Sequence, residues 1–136
     1  MKAHDISELL TARRGTSTPY LEFVRTPSMS AGIYELPESG EDTQTPHGED
    51  EIYYVLAGRA TLRVGGEDRA VSAGGVIFVP ARVEHAFHSI REPLSLLVVF
   101  APPEGSGSRR TARAPQARTG HRSTGRSPAN RRRRRR

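Results

Sequence analysis

The segment TPHGEDEIYYVLAG at residues 45–58 decides the fold, because it changes within a few positions from polar groups to a strand-like run. Its second half, EIYYVL at 51–56, consists mostly of β-branched, aromatic and aliphatic residues, which favour strands. A second segment, GGVIFVPARVEHAFH at residues 74–88, begins with two glycines and contains two histidines. Both segments therefore predict strands with titratable side chains at or near their ends.

Runs of similar composition lie on either side of these segments. We predict about eight strands, namely YLEFVR, AGIYEL, EIYYVL, ATLRV, DRAVS, VIFVP, HAFHSI and LSLLVVF. Hairpins are expected at Ala57-Gly58 and Gly65-Gly66, and a sharp reversal is expected at residues 73–75. Because no long helical period separates the strands, the pattern favours an antiparallel barrel or sandwich.

The two ends of the chain differ from this β-rich part. The stretch DISELLTARR has apolar residues at helical spacing behind Asp5, which predicts a capped short helix ending near Gly15. The last 32 residues contain no hydrophobic residue other than alanine, so they cannot bury enough apolar surface to become ordered. We expect an N-terminal helical segment at 1–18, a β-barrel domain at 19–103 and a disordered arginine-rich tail at 104–136.

The composition restricts the chemistry. A chain of 136 residues has the size of one domain, and the absence of cysteine excludes disulfides, thiolate metal sites and cysteine nucleophiles. Any metal must then be bound by His, Asp or Glu. The start of the chain lacks the apolar run of a signal peptide, and residues 96–101 form an apolar stretch far shorter than the ~20 residues of a membrane span. A cytoplasmic protein is therefore expected.

Charge is distributed unevenly along the chain. Residues 1–104 hold nine basic residues and all 15 acidic residues, which leaves a formal charge of −6, whereas residues 105–136 hold twelve arginines and no acid. An arginine-rich tail neutralises phosphates and can bind nucleic acid without sequence preference. The same composition is also compatible with contacts to the acidic domain, with anionic lipid, or with no function.

Two of the five histidines, His47 and His85, lie in contexts that suit a site. Glu51 follows His47 by four residues, which is about 13 Å along a straight strand. Since metal ligands lie only about 2.0 to 2.3 Å from an ion, the chain must bend near Gly48 for His47 and Glu51 to share one. His85 must then approach from a later strand.

These segments resemble the two signature motifs of the cupins, which are small β-barrels with jelly-roll topology. The matched positions are His47, Glu51 and Gly58 in the first motif and Gly74, Pro80 and His85 in the second. The resemblance covers residues 20–101. It implies an all-β fold with a single small antiparallel β-barrel, a cupin jelly roll, flanked by the short N-terminal helix and the disordered C-terminal tail.

The chain departs from the motifs at three positions. Thr45 stands in place of the first metal-binding histidine, Arg82 in place of a glycine and Ser89 in place of an asparagine. The resemblance then leaves His47, Glu51 and His85 as the ligands of a divalent transition metal, Fe, Mn, Ni or Zn. The alternative is a metal-free barrel whose polar residues bind an organic ligand.

Two further residues are candidates for catalytic proton transfer. Glu49 shares the strand parity of Glu51, and its alternatives are a substitute ligand, a general base and an exposed loop acid. Tyr53 has the same parity and is expected to line the barrel. Tyr54 and His88 are expected to face outward, and the residues expected in the core are Val55, Ile77, Phe78 and Phe87.

Three functions agree with these observations. The first is a metal-dependent cupin acting as an oxygenase, isomerase or lyase on a small oxygenated molecule. The second is a non-catalytic cupin that binds or senses a small ligand, and the third uses the tail to bind nucleic acid. The resemblance also implies a possible homodimer, for which the edge strands near residues 20–36 are the expected surface.

Overall fold

The computed structural model describes residues 1–107. It contains one helix and six strands: α1 (Ile6–Arg14), β1 (Tyr20–Arg25), β2 (Ser30–Leu36), β3 (Asp50–Val64), β4 (Glu67–Ser72), β5 (Val76–Val79) and β6 (His85–Ala101). All strand pairs are antiparallel. The predicted β-rich class with a short N-terminal helix is confirmed, and no described helix is long and apolar enough to cross a membrane.

The strands β3 and β6 pair from Asp50 opposite Ala101 to Val64 opposite His85. Each of them joins two of the eight predicted runs. The hairpin predicted at Ala57-Gly58 is therefore wrong, because Gly58 has a φ of 100° at a place where the register of β3 against β6 shifts. The chain bends there and continues along β6 instead of reversing.

This bend divides the sheet into two halves that share β3 and β6. One half has the order β1-β2-β6-β3-β5, and the other pairs β4 with the second part of β3. Within residues 1–107, hydrogen bonding does not close the sheet into the predicted barrel, because β4 and β5 both pair with β3 and neither pairs with β1. One cluster of buried side chains, which includes Tyr53, Leu62, Phe87 and Leu96, lies across both halves.

The remaining turns agree with the sequence. Val64 pairs with Glu67 across the two-residue Gly65-Gly66 turn, as predicted. At the predicted reversal, the Gly75 amide donates a hydrogen bond to the Ser72 carbonyl oxygen at 3.0 Å. These tight connections follow from glycines at positions where the chain must reverse within a few residues.

Arg82 and Ser89 occupy the positions where the cupin motif has Gly and Asn. Their φ angles are 66° and 51°, which lie in the left-handed region. Gly and Asn tolerate this region best, so the motif residues suit the backbone conformation that Arg82 and Ser89 adopt here. The amide of Arg82 also donates to the carbonyl oxygen of His47 at 2.7 Å, so this turn is linked to the loop before β3.

The helix α1 packs against the β1–β2 edge through the buried side chain of Leu9. Glu35 on β2 fixes its end by accepting hydrogen bonds from Arg13 and Arg14, at 3.0 and 3.1 Å. Asp5 lies at the N-cap, but its side chain makes no capping hydrogen bond. The helix thus depends on tertiary contacts more than on its own cap.

The prediction that Phe78 lies in the core is wrong. Phe78 lies on β5 opposite Ile52 of β3 and is 59% exposed. Val76 and Tyr54 form the next pair on the same face of these strands and are 68% and 41% exposed. Strand alternation turns these four side chains away from the core cluster, on which Ile77 packs, and gives β3 and β5 an apolar outer surface. Val55 and Phe87 are buried as expected.

Most of the predicted tail, 104–136, lies outside the described residues. The part that is described contacts the sheet. The Glu104 amide donates to the Ser30 hydroxyl at 2.9 Å, and the Gly107 amide donates to the Glu49 carboxylate at 2.8 Å. The disorder of the later residues stays a prediction.

Candidate metal centre

His47, Glu51 and His85 come from three parts of the fold and meet at one point. His47 lies in the loop before β3, Glu51 near the start of β3, and His85 at the start of β6. The Oε2 atom of Glu51 is 2.9 Å from His47 Nε2 and 3.0 Å from His85 Nε2. One potential ligand atom from each residue lies within 4.8 Å of the others. The structure thus brings together the three residues that were predicted as ligands.

The bend predicted near Gly48 makes this convergence possible. Hydrogen bonds to the turn between β5 and β6 hold the bent loop on both sides. The Asp50 carboxylate accepts the Ala81 amide at 2.9 Å, and the His47 carbonyl accepts the Arg82 amide at 2.7 Å. His47 is therefore positioned by the backbone of the segment that leads to His85.

Both imidazole rings are oriented by backbone carbonyl groups. His47 Nδ1 lies 3.1 Å from the Glu49 carbonyl oxygen, and His85 Nδ1 lies 2.8 Å from the Val83 carbonyl oxygen. A carbonyl oxygen only accepts, so Nδ1 carries the proton in both rings. In the neutral tautomer each Nε2 then directs a lone pair towards Glu51, which is the arrangement of histidines that bind a metal.

Burial at this centre leaves a polar atom without a partner. Glu51 and His85 are 1% and 3% exposed, Glu51 Oε1 makes no hydrogen bond to any described residue, and the contact of His85 Nε2 is the one with Glu51 Oε2 at 3.0 Å. A buried polar atom without a partner is costly, and a cation between these side chains would satisfy it. Two neutral imidazoles and a carboxylate match the ligand preferences of Fe, Mn, Ni and Zn, so the residues fit such a metal.

The pKa values reflect the same short contacts. The hydrogen bond with Glu51 raises the pKa of His47 above its ordinary value. Burial alone would lower the pKa of His85, but its contact with Glu51 outweighs burial and the pKa is raised. Burial alone would raise the pKa of Glu51, but its bonds with both histidines bring it below the usual range. The three side chains thus form one coupled charge cluster.

Glu49 is fully buried, so the exposed loop acid considered for it is wrong. Its Oε1 atom accepts the Gly107 amide, and its Oε2 atom lies 3.3 Å from His47 Nδ1. This is the side of the ring that faces away from Glu51. The carboxylate therefore lies behind His47 and outside the group of three ligand atoms.

Tyr53 lines the interior as expected and is completely buried. Its ring packs edge-on against Phe87, and its hydroxyl lies 3.2 Å from the side-chain amide of Gln44. Burial raises the pKa of the Tyr53 phenol well above its ordinary value, so the hydroxyl keeps its proton. Tyr54, by contrast, faces outward.

Thr45 is exposed and does not belong to the group of ligand atoms. It lines an open cavity of about 300 Å³ together with His47 and Glu49. His88 lies on the outer surface, where its Nε2 atom is 3.1 Å from the Asp68 carboxylate. The outward direction expected for His88 is confirmed.

Two polar residues near the site, Asp42 and Gln44, belong to no motif and were not predicted from the sequence. Asp42 accepts hydrogen bonds from the Tyr34 hydroxyl and the Phe87 amide, both at 2.9 Å. Gln44 joins Asp42 to Tyr53. Their only signal in the sequence is their place in a polar loop, and only tertiary structure shows that this loop lines the interior. A cavity of about 110 Å³ lies beside them, with walls formed by Tyr20, Tyr34, Gln44, Glu51, Val98, Phe100 and Glu104.

Comparison with known proteins identifies similar sequences and folds. A family profile described as "Cupin domain" matches residues 32–100. An uncharacterised protein of Streptomyces coelicolor is 47% identical over 104 residues, which cover 76% of this chain and 99% of that protein. Its name assigns no activity.

Two solved structures are similar as well. A protein of Thermus thermophilus superposes with a TM-score of 0.63 at 28% identity, over 76% of this chain and 99% of that one. The DMSP lyase DddQ of Ruegeria pomeroyi superposes with a TM-score of 0.53 at 27% identity, over 56% of this chain and 39% of the lyase. The similarity to the lyase therefore covers only part of that enzyme.

Proposed function

The chain belongs to the cupin domain family, and from this membership we propose that it is a metal-binding cupin acting on a small oxygenated molecule as an oxygenase, isomerase or lyase. The proposed ligands of a divalent transition metal, Fe, Mn, Ni or Zn, are His47, Glu51 and His85. The observation that carries the proposal is the convergence of their three ligand atoms within 4.8 Å. Three protein ligands leave coordination positions for a substrate.

A metal held by these residues would supply a Lewis acid for a substrate oxygen. The protein itself contributes orientation and proton transfer. The carbonyl groups that accept the Nδ1 protons hold the two imidazoles in place. Tyr53, whose phenol stays protonated, is the proposed proton donor near the cavity. Glu49 is the proposed base, and it would act through the His47 ring, because its Oε2 atom lies 3.3 Å from His47 Nδ1 on the side away from Glu51.

The similarity to the DMSP lyase supports a lyase-type reaction. It does not identify the substrate of this chain. The chain spans 39% of that enzyme, so most of the lyase has no counterpart here. The reaction class is therefore proposed from the metal centre, and the substrate class from the size and chemistry of the adjoining cavity.

The second proposed function is a non-catalytic cupin that binds or senses a small ligand. Thr45 favours it, because an exposed hydroxyl replaces the first histidine of the motif and the centre has three strong ligands instead of four. Turnover of any small molecule that depends on His47 would contradict this alternative. A cytoplasmic location and a homodimer through the edge strands near residues 20–36 stay predictions. The exposed apolar side chains of β3 and β5 form a second candidate surface for a dimer.

Metal content tests the proposal. We expect the full-length protein, expressed without added metal and analysed by elemental mass spectrometry, to contain close to one transition-metal ion per chain. His47→Ala and His85→Ala each remove one ligand and should reduce the affinity by at least about tenfold to a hundredfold. His88→Ala is the matched control, because His88 lies on the outer surface and should leave the metal content unchanged.

Two outcomes would contradict the metal centre. One is wild-type protein that binds neither Fe, Mn, Ni nor Zn when these ions are supplied after purification. The other is a His85→Ala variant that folds and retains the wild-type metal content. Either outcome leaves the small-ligand-binding function as the better explanation of the cavity.

A further inference from the structure

Tyr20 is directed into the interior by a glycine on the neighbouring strand. It begins β1, at the edge of the sheet, and its ring lies over Gly32 of β2, where a Cβ atom would overlap the phenol. The rings of Tyr34 and Phe100 contact it edge-on, with centroid distances of 6.5 and 6.3 Å. The position of this side chain is therefore set by packing on several sides.

The hydroxyl group of Tyr20 is buried and has no hydrogen-bond partner in the described part of the chain. Tyr20 lines the cavity of about 110 Å³, and Glu51 forms another wall of the same cavity. The second phenol of this cavity differs, since the Tyr34 hydroxyl is already bonded to Asp42 at 2.9 Å. A buried hydroxyl without a partner is costly unless a ligand or water satisfies it.

The surroundings of Tyr20 keep this hydroxyl a donor. Burial raises the pKa of the phenol above its ordinary value, and the nearby carboxylates of Glu104 and Glu22 raise it further. The group is therefore protonated at neutral pH, and an acceptor atom is the partner that it lacks.

We propose that Tyr20 binds the ligand of the metal centre by donating a hydrogen bond to one of its oxygen atoms. The ligand class is a small oxygen-bearing molecule with a short apolar carbon skeleton. The volume sets the size, because about 110 Å³ holds roughly four water molecules and hence a ligand of about four to six non-hydrogen atoms. The side chains of Val98 and Phe100 form the apolar wall. This inference rests on the proposed function, since it places the ligand beside Glu51.

Nuclear magnetic resonance tests the inference directly, because the chain has only four tyrosines. Full-length protein labelled with ¹³C at tyrosine Cζ is titrated with acetohydroxamate, a probe of the proposed size, with and without Zn²⁺. We expect the Tyr20 resonance, assigned with Tyr20→Phe, to shift on addition of the probe, while that of exposed Tyr54 stays in place. The Tyr20→Phe variant should bind the probe about three- to tenfold more weakly, as expected for one lost hydrogen bond.

Matched variants separate hydrogen bonding from packing. Tyr54→Phe should leave the probe Kd within about twofold, because Tyr54 faces outward and does not line the cavity. Gly32→Ala should weaken probe binding like Tyr20→Phe, because the added methyl group displaces the Tyr20 ring. Zn²⁺ affinity should be unchanged in Tyr20→Phe, since Tyr20 is not a metal ligand.

The outcomes distinguish this inference from the proposed function. If the wild type binds no Zn²⁺ but the Tyr20 resonance still responds to the probe, the metal centre fails and the Tyr20 site stands. If Zn²⁺ binds but neither the Tyr20 resonance nor the Kd of Tyr20→Phe changes, the Tyr20 site is overturned. The absence of any response to the probe in both samples overturns it too, and leaves water as the partner of the hydroxyl.

Discussion

Glu51 controls the electrostatics of the site. Its Oε2 atom lies 2.9 Å from one imidazole nitrogen and 3.0 Å from the other. A lone pair on Nε2 is repelled by the carboxylate, whereas a proton there forms a charge-assisted hydrogen bond. This explains why the pKa values of both histidines are raised and that of Glu51 is lowered. Protons and a metal ion therefore compete for the same atoms.

This competition predicts opposite effects of pH on two forms of the protein. The folded pKa values of His47 and His85 lie above the unfolded value of about 6.5, so the stability from their protonation is complete below that value and is lost as the pH rises through the folded pKa values. Zn²⁺ binds the neutral imidazoles, so its stabilisation grows over the same range. Thermal unfolding from about pH 6 to pH 9, in EDTA or in Zn²⁺, measures both slopes.

Glu51→Gln is the control for this prediction. The substitution removes the charge that raises both histidine pKa values, and it also removes a metal ligand, so it should flatten both slopes relative to the wild type. Parallel slopes for the wild type in EDTA and in Zn²⁺ would show that protons and metal do not share the Nε2 atoms.

The strands β3 and β6 form the site because each belongs to both halves of the sheet. Glu51 lies before the bend of β3, whereas His85 pairs with Val64, which lies after it. A straight pair of strands would hold these ends far apart, since each residue advances the chain by about 3.3 Å. The bend at Gly58 therefore brings the two ends of the strand pair towards one interior.

Gly58→Ala should destabilise the protein by about 2 kcal/mol or more. The residue has a φ of 100°, and an added Cβ would overlap the Pro93 carbonyl oxygen on β6. Gly66→Ala is the control, because a Cβ there meets no atom within 4 Å. Urea unfolding should give a lower midpoint for Gly58→Ala than for Gly66→Ala. Equal midpoints would mean that the bend does not need glycine.

Across the whole chain, the net charge differs in sign between the domain and the tail. The domain formed by residues 1–104 carries −6, whereas residues 105–136 hold twelve arginines without an acid. Such a segment attracts polyanions through release of their counterions, and the acidic domain repels them. Any binding of nucleic acid is therefore expected to come from the tail and not from the domain.

We predict that the full chain binds single-stranded DNA with strong salt dependence, whereas a chain ending at Gly107 does not bind. For six phosphate contacts the log–log slope against salt is about −4. The shorter chain retains the Gly107 amide that Glu49 binds, so the domain keeps its contacts. Filter binding at several salt concentrations measures the slope. Equal retention of the two chains at low salt would exclude a role of the tail in binding.

Local patterns in the sequence predicted which segments are extended, where the helix lies and that His47 and Glu51 can share a site. The predicted run YLEFVR has the same first and last residues as β1. The four-residue separation of His47 and Glu51, with Gly48 between them, indicated the bend. These features were predictable because strand alternation, glycine turns and ligand chemistry act over a few residues. The family motifs added His85, which spacing alone does not connect to Glu51.

Tertiary structure alone decided which of these side chains are buried and where the long strands bend. These features depend on which distant segments of the chain come into contact. The buried Glu49 carboxylate accepts a hydrogen bond from Gly107, which is 58 residues away in the chain, and Phe78 lies on the face of β5 that turns away from the core cluster. Ala57-Gly58 has the composition of a hairpin, yet pairing with β6 makes it a bend. The Tyr20 ring reaches the cavity by lying over Gly32 of the next strand. No local pattern encodes such contacts, since they are formed by residues far apart in the chain.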